Sequence, residues 1–152
     1  MIRIADGLPT AFLEPAAVHP AVERVRRAGF DLLIDVTAFD TPERARRFDV
    51  IYLFHRLGDN RRVRLQVQVA DRGPLRSICD LYPAANWYER EVFDLYGVPF
   101  ADHPELRRIL MPDDWIGNPL RRDHPLGGEV VDYGATTRRT VAPLIFPEGT
   151  AR

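Results

Sequence analysis

Apolar residues recur with a period of two in the first half of the chain and with a helical period on either side of it. In residues 30–39, Phe30, Leu32, Ile34, Val36 and Ala38 alternate with Asp31, Leu33, Asp35 and Thr37, as in a strand. Residues 49–57 are apolar on both faces, which predicts a central strand. Residues 63–69 put Val63, Leu65, Val67 and Val69 on one side and Arg64, Gln66 and Gln68 on the other. Gly58, Asp59 and Asn60 between the last two segments predict a hairpin. Upstream, Val18, Val22 and Val25 form a helical stripe that Pro20 can open and Gly29 can close. Glu23, Arg24, Arg26 and Arg27 take its wet side. Phe12 and Leu13 add at most a short strand between Pro9 and Pro15.

A second helix is predicted from Pro83, suited to a first helical position, to Gly97, suited to a left-handed stop. Tyr88, Val92, Leu95 and Tyr96 share one face with Ala84 and Ala85, while Trp87, Arg90, Glu91 and Asp94 share the opposite one. An aromatic among two acids and an arginine suits a partner surface. Glu91 and Asp94 have the spacing for shared metal or proton chemistry. Arg90 lies four residues before Asp94 to neutralise it, and no histidine stands at helical spacing to either acid. Glu89 borders the apolar face beside Val92 and Tyr96, where a half-buried carboxylate needs partners such as Arg107 or Arg108. Shorter helical pieces are expected at residues 75–81 and, as one turn, at 41–47.

Residues 98–152 hold seven of the 13 prolines and no long periodic segment, so mostly irregular or extended chain is expected there. The resulting plan is α+β: an N-terminal helix, an antiparallel sheet of at least three strands packed with helices, and an extended proline-rich C-terminal arm. The α+β domain covers residues 1–97 and the arm 98–152, packing on its own domain and on a partner.

Composition narrows the chemistry. A net charge of −1 offers no global attraction to nucleic acid or to anionic membrane. No apolar run reaches membrane-spanning length and no signal-peptide plan is visible, so a cytoplasmic protein without direct membrane insertion is expected. Cys79, the single cysteine, can form neither an internal disulfide nor the thiolate set of an iron–sulfur cluster. His103 and His124 near Asp102, Asp113, Asp114 and Asp123 match no compact ligand motif, so no metal is expected. Phosphate-cradling glycine loops, nucleophile elbows and dinucleotide fingerprints are all lacking. All 21 basic residues are arginine. The pairs 107–108, 121–122 and 138–139 lie in a segment that also carries Asp113, Asp114, Asp123 and Asp132 and no base-stacking platform of aromatics, which favours acids on a protein partner over nucleic acid.

Glu89-Arg90-Glu91, then Asp94-Leu95-Tyr96, His103 and Arg107-Arg108-Ile109-Leu110 together resemble the pattern of the hydrophilic C-type subunit of respiratory complex I. Asn118-Pro119-Leu120-Arg121-Arg122-Asp123 resembles the next motif of that family, in which Gly-His-Pro-Leu-Arg is commoner; here Gly117-Asn118 replaces Gly-His. The resemblance covers roughly residues 17 to 127. It implies a non-catalytic hetero-oligomeric subunit of an NADH:quinone oxidoreductase, peripheral on the cytoplasmic face of the cell membrane. It also implies contact with the large D-type subunit that helps form the quinone cavity, and with other peripheral-arm subunits. NAD, FMN, iron–sulfur clusters and quinone would be held by those partners and none by this chain. Trp87, Arg90, Glu91, Asp94, His103, Arg107, Arg108, Arg121 and Arg122 would form the interface, with Glu89 and Gly97 structural. The alternatives are a same-family subunit of a membrane-bound hydrogenase or ferredoxin-dependent dehydrogenase, and, from another class, a metal-dependent hydrolase using Glu91, Asp94 and His103.

Overall fold

The computed structural model describes residues 2–5, 7–125, 130–132 and 138–140. One compact unit spans Met1–Arg122 and a second Asp123–Arg152. In the first, a five-stranded sheet runs β1 (Ile2–Ala5), β2 (Leu8–Leu13), β5 (Arg61–Val69), β4 (Phe48–Arg56), β3 (Leu32–Asp40) in spatial order. The class is α+β, as the patterning predicts, but the sheet is mixed rather than antiparallel. β2 lies parallel to β5, with Thr10 opposite Arg64 and Leu13 opposite Val67. The connection between them runs through helix α1 (Val18–Arg27) and then β3 and β4, and the expected N-terminal helix is preceded by two strands. Pro9 and Pro15 do not prevent β2 from forming. Pro9 pairs near the β1–β2 turn, and Pro15 opens a 3-10 turn beyond the strand.

Alternation holds where the sheet is regular. Leu65, Val67 and Val69 of β5 are buried, as are Phe48, Val50, Tyr52 and Phe54 of β4. Burying each large β4 side chain contributes roughly 1.5–3 kcal/mol. In β3 a register shift between Leu33 and Asp35 breaks the simple alternation, so Leu33 is buried and Leu32 exposed while Val36 and Ala38 point inward. Val18, Ala21 and Val22 of α1 are also buried in the core. Helix α2 (Ala85–Tyr96) packs next to β3 and contributes Ala85 and Val92 to the same core.

Two predicted helical pieces are absent. Residues 75–81 begin with a short strand, β6 (Leu75–Arg76), parallel to β7 (Phe100–Ala101), and then turn. The sequence 75–81 is too short to repay helix nucleation, and Leu75 gains a backbone bond from the chain leaving α2. Residues 41–47 make a turn closed by Arg44 N–H to Thr41 O at 3.1 Å.

The chain to Arg122 belongs to the first unit, including residues 98–122, which return along α2. In the second unit, β8 (Val130–Asp132) and β9 (Arg138–Thr140) pair antiparallel, so that part of the proline-rich segment is regular rather than merely extended. The expected course of the arm over residues 126–129, 133–137 and 141–152 lies outside the described residues. Among the described residues no helix is long and apolar enough to cross a membrane.

Candidate docking site on the second helix

α2 ends as its sequence dictates. Gly97 adopts φ 78° and its amide caps Phe93 O at 2.9 Å. A Cβ at Gly97 would stand 2.6 Å from Asn118 Oδ1, so a side chain there would displace that amide as well as strain the backbone. The close neighbour is itself a cap. Asn118 Nδ2 donates to Asp94 O at 2.8 Å and to Phe93 O at 3.3 Å, satisfying carbonyls that the helix end leaves open. The departure from Gly-His to Gly117-Asn118 thus has a structural use. Leu120 N–H reaches Leu95 O at 3.1 Å, continuing the same closure.

Residues 102–121 form a strap along α2. With few bonds of its own, the strap's backbone is satisfied by helix side chains. Asp94 Oδ2 accepts the amides of Ile109, Leu110 and Met111 at 3.0, 2.8 and 2.9 Å. Its Oδ1 receives Arg108 Nη1 at 2.6 Å. Burial pushes the Asp94 carboxyl upward, but the three amides and Arg108 outweigh it and hold it below the usual carboxylate range. Arg108 also donates to Trp115 O at 3.1 Å and Gly117 O at 3.0 Å. Arg90 donates to Arg107 O and Arg108 O, both at 3.1 Å, and its guanidinium lies 5.3 Å from the Trp87 ring centroid.

This corrects the reading of that helix face. Arg90 and Asp94 are buried, and the strap, not a second protein, covers them. Asp94 pairs with Arg108 rather than Arg90. A helical period separates two faces without saying which later segment covers the second.

Glu89 is fully buried but meets neither Arg107 nor Arg108, correcting the expected partners. It accepts Ser77 Oγ–H at 2.6 Å and Ile78 N–H at 2.9 Å, with Cys79 Sγ at 3.5 Å. Burial raises its carboxyl above the usual value against the pull of these donors. Burial likewise pushes the Cys79 thiol up to about 11, leaving it protonated and poorly nucleophilic. The His103 side chain is buried, with Nε2 4.0 Å from Glu89 Oε2. Ligand atoms of Cys79, Glu89 and His103 lie within 4.8 Å of one another, a grouping that sequence spacing did not reveal. The hydrolase set Glu91, Asp94 and His103 is not assembled, since Asp94 is saturated by the strap while His103 belongs with Glu89 and Glu91 is exposed.

The remaining predicted residues divide. Trp87 is 60% exposed and Glu91 is exposed. Arg107 is exposed beside Glu105 at 3.0 Å. Arg121 is drawn inward, pairing with Asp71 at 2.9 and 2.8 Å and lying 5.3 Å from the Phe48 ring centroid. Arg122 is exposed, while its backbone N–H reaches Asp40 Oδ2 at 2.7 Å. Sequence reasoning did not assign Leu110 and Ile116 to the surface, yet they are 59% and 89% exposed on the strap. Their signal is large apolar residues in a segment too irregular to bury them all.

A sequence profile described as "Respiratory-chain NADH dehydrogenase, 30 Kd subunit" matches residues 11–130. The C-type subunit of the NADH-quinone oxidoreductase of Ruegeria pomeroyi is 48% identical over 74% of this chain and 56% of its own length. That of Cereibacter sphaeroides is 46% identical over 91% of this chain and 72% of its own. The chain thus spans only about half to three-quarters of such relatives. Among solved structures, the trypsin-resistant fragment 1–134 of Nqo5 is 30% identical, with a TM-score of 0.64 over 70% of this chain and 89% of the fragment. A chain of the archaeal membrane-bound sulfane sulfur reductase shares the fold, with a TM-score of 0.67 at 19% identity over 75% of this chain and 69% of that one.

Proposed function

Because this chain belongs to the 30 kDa subunit family of the respiratory-chain NADH dehydrogenase, we propose that it is a cofactor-free structural subunit of a complex I-like NADH:quinone oxidoreductase. In this reading it braces the D-type subunit at the quinone site. The whole assembly carries electrons from NADH to quinone and couples that to proton translocation. The observation that carries the reading is the family match over residues 11–130, which takes in β3, β4 and β5 of the sheet, α2 and the strap.

The geometry supports a brace over an active site. Arg90, Asp94 and Arg108 are committed to holding the strap on α2 by contacts within the chain itself. Trp87 and Glu91 on α2, and Leu110, Ile116 and Arg107 on the strap, are exposed. Large apolar side chains with a charged surround are the composition of an interface centre and rim. Redox centres would belong to partner subunits, and the assembly would lie on the cytoplasmic face of the membrane.

The shared fold with a sulfane sulfur reductase chain does not choose an electron donor. NADH is favoured because the sequence relatives are C-type subunits of NADH-quinone oxidoreductases. The test is affinity purification of the tagged full chain from its native membranes, followed by native mass spectrometry and an NADH:quinone assay. Co-purification with the other subunits and NADH-dependent quinone reduction is expected. Recovery of a free chain, or of an assembly that reduces quinone only from hydrogen or ferredoxin, would overturn the reading.

A further inference from the structure

We propose that the cleft between the starts of β2 and β5 receives an acidic segment of a partner subunit, seated by an apolar side chain and paired through a carboxylate with Arg62. The inference rests on the subunit reading above. It adds a second contact surface of stated chemistry, on the sheet rather than on α2 and its strap.

The cleft follows from the topology. β2 and β5 pair only from Thr10 opposite Arg64 to Leu13 opposite Val67, yet β2 begins at Leu8 and β5 at Arg61. Leu8 and Pro9 pair with β1, and Arg61, Arg62 and Val63 with β4, so these two short stretches have no ladder to each other. Pro9 has no N–H to donate, which suits a place where a ladder stops. The parted strands leave an open cleft of about 680 Å³, with apolar walls from Leu8, Pro9, Phe30 and Val63. Clefts of roughly 300–1,000 Å³ are the size that takes a ligand or an anchoring side chain. A sheet whose strand has lost its neighbour also offers backbone groups to an incoming extended segment.

Apolar walls alone name no occupant, but the charge does. Arg61 and Arg62 line the cleft, and no acid lines it. Asp59, the acid closest in sequence, is already engaged by Arg56 at 2.8 Å and by Arg61 at 3.0 Å. Arg62 is exposed, and among the described residues its side chain makes no hydrogen bond or ion pair. A guanidinium left over beside an apolar recess complements a carboxylate next to an apolar side chain, and it can take that carboxylate in two parallel bonds. A basic segment would meet like charge from both arginines.

The test is reconstitution of the full chain into an assembly stripped of this subunit, with bound chain titrated. Arg62→Glu should leave the melting temperature unchanged, because the side chain is exposed and unpaired, and should weaken binding by about tenfold or more. Wild-type binding should also fall more steeply with added salt than that of Arg62→Ala. A photo-crosslinking residue in place of Arg61, whose side chain is 71% exposed, identifies the occupant. In the assembly it should attach to a peptide of another subunit that carries Asp or Glu next to an apolar residue. Binding by Arg62→Glu within about twofold of wild type overturns the inference and leaves the subunit reading intact. Cross-linking only to lipid, to this chain or to a basic peptide does the same. Failure of the wild-type chain to rejoin any assembly overturns the subunit reading, and this inference with it.

Discussion

Asp94 on α2 and Arg108 on the strap, 14 residues later, meet at 2.6 Å, and the same carboxylate gathers three consecutive amides from residues 109–111. One buried side chain thereby fixes the path of a segment that has no regular structure. Asp94→Asn would retain the shape but lose the charge, leaving Arg108 without its counterion and the amides with a weaker acceptor. Removing one partner of a buried pair costs about 3–5 kcal/mol. Urea denaturation of the purified chain checks this, and a loss below roughly 1 kcal/mol would mean that the strap is held chiefly by other contacts.

Arg90 makes a comparable prediction with a different cause. Its partners are the carbonyls of Arg107 and Arg108, which nothing else is seen to satisfy once the guanidinium is gone. Arg90→Ala should therefore lower the stability of the isolated chain by about 1–3 kcal/mol per strongly desolvated group left open. Arg90→Lys would restore charge but not the two-pronged donation, and should recover only part of the loss. Equal melting temperatures for wild type and Arg90→Ala would place the side chain outside the fold's support.

How far these contacts were readable in advance follows from their range. The periods of β4, β5 and α2 are local, so Val67, Phe54 and Val92 could be assigned to the core from spacing alone. The left-handed Gly97 was equally local. The parallel pairing of β2 with β5 was not, because Thr10 and Arg64 are 54 residues apart and no short motif encodes their meeting. Asp94 looked like half of an exposed acid pair because its strap lies 14 to 17 residues downstream in a stretch without periodicity. Glu89 is legible in the sequence as a half-buried carboxylate, yet it is fully buried and its donors come from the loop after β6, where a helix was expected.

The α2 terminus supplies a test of backbone necessity. Gly97→Ala would force a Cβ into a left-handed residue, costing about 1–2 kcal/mol, and toward Asn118 as well. Asn118→Ala removes the cap on Phe93 and Asp94 carbonyls without the backbone strain. Thermal melts should rank wild type above Asn118→Ala. In the double variant, the Gly97→Ala penalty should shrink, because the colliding amide is gone. A full, unchanged Gly97→Ala penalty would mean that φ alone requires glycine.

The pH dependence separates two kinds of carboxylate. Asp40 is held below its ordinary value by the Arg47 hydrogen bond against burial, Asp71 by that of Arg121, and Asp94 by its amides and Arg108 despite burial. A depressed folded value adds stability that is present above the ordinary carboxylate range and lost as pH falls through the folded value. Glu89, raised by burial, works in the opposite sense: its contribution is complete below its unfolded value and lost as pH rises through the folded one. Glu89→Gln mimics the protonated form at every pH. Its stability relative to wild type should therefore shift in its favour as pH rises above the ordinary glutamate range and through the raised folded value. Parallel curves would show that the Glu89 site does not disfavour charge.

Ile116 is the strictest test of the exposed strap, because at 89% exposure it has little to lose within the chain. Substitutions at such positions change stability by no more than about 0.5 kcal/mol. Ile116→Asp should therefore leave the melting temperature of the isolated chain unchanged. If Ile116 enters an apolar recess of a partner subunit, the same change places a carboxylate in a dry contact. A central interface side chain contributes roughly 2 kcal/mol or more, which is about 30-fold in Kd. Trp87→Ala, on the helix side of the surface, should give a loss of the same order, with a modest stability cost through the Arg90 stack. The measurement is reconstitution of each variant into an assembly stripped of this subunit, followed by titration of bound chain. Weakened binding, at an unchanged melting temperature for Ile116→Asp, assigns the surface to docking. Full binding by both variants would move the partner contact elsewhere, with the open face of the sheet, where Phe39 is 55% exposed, as the next surface to probe.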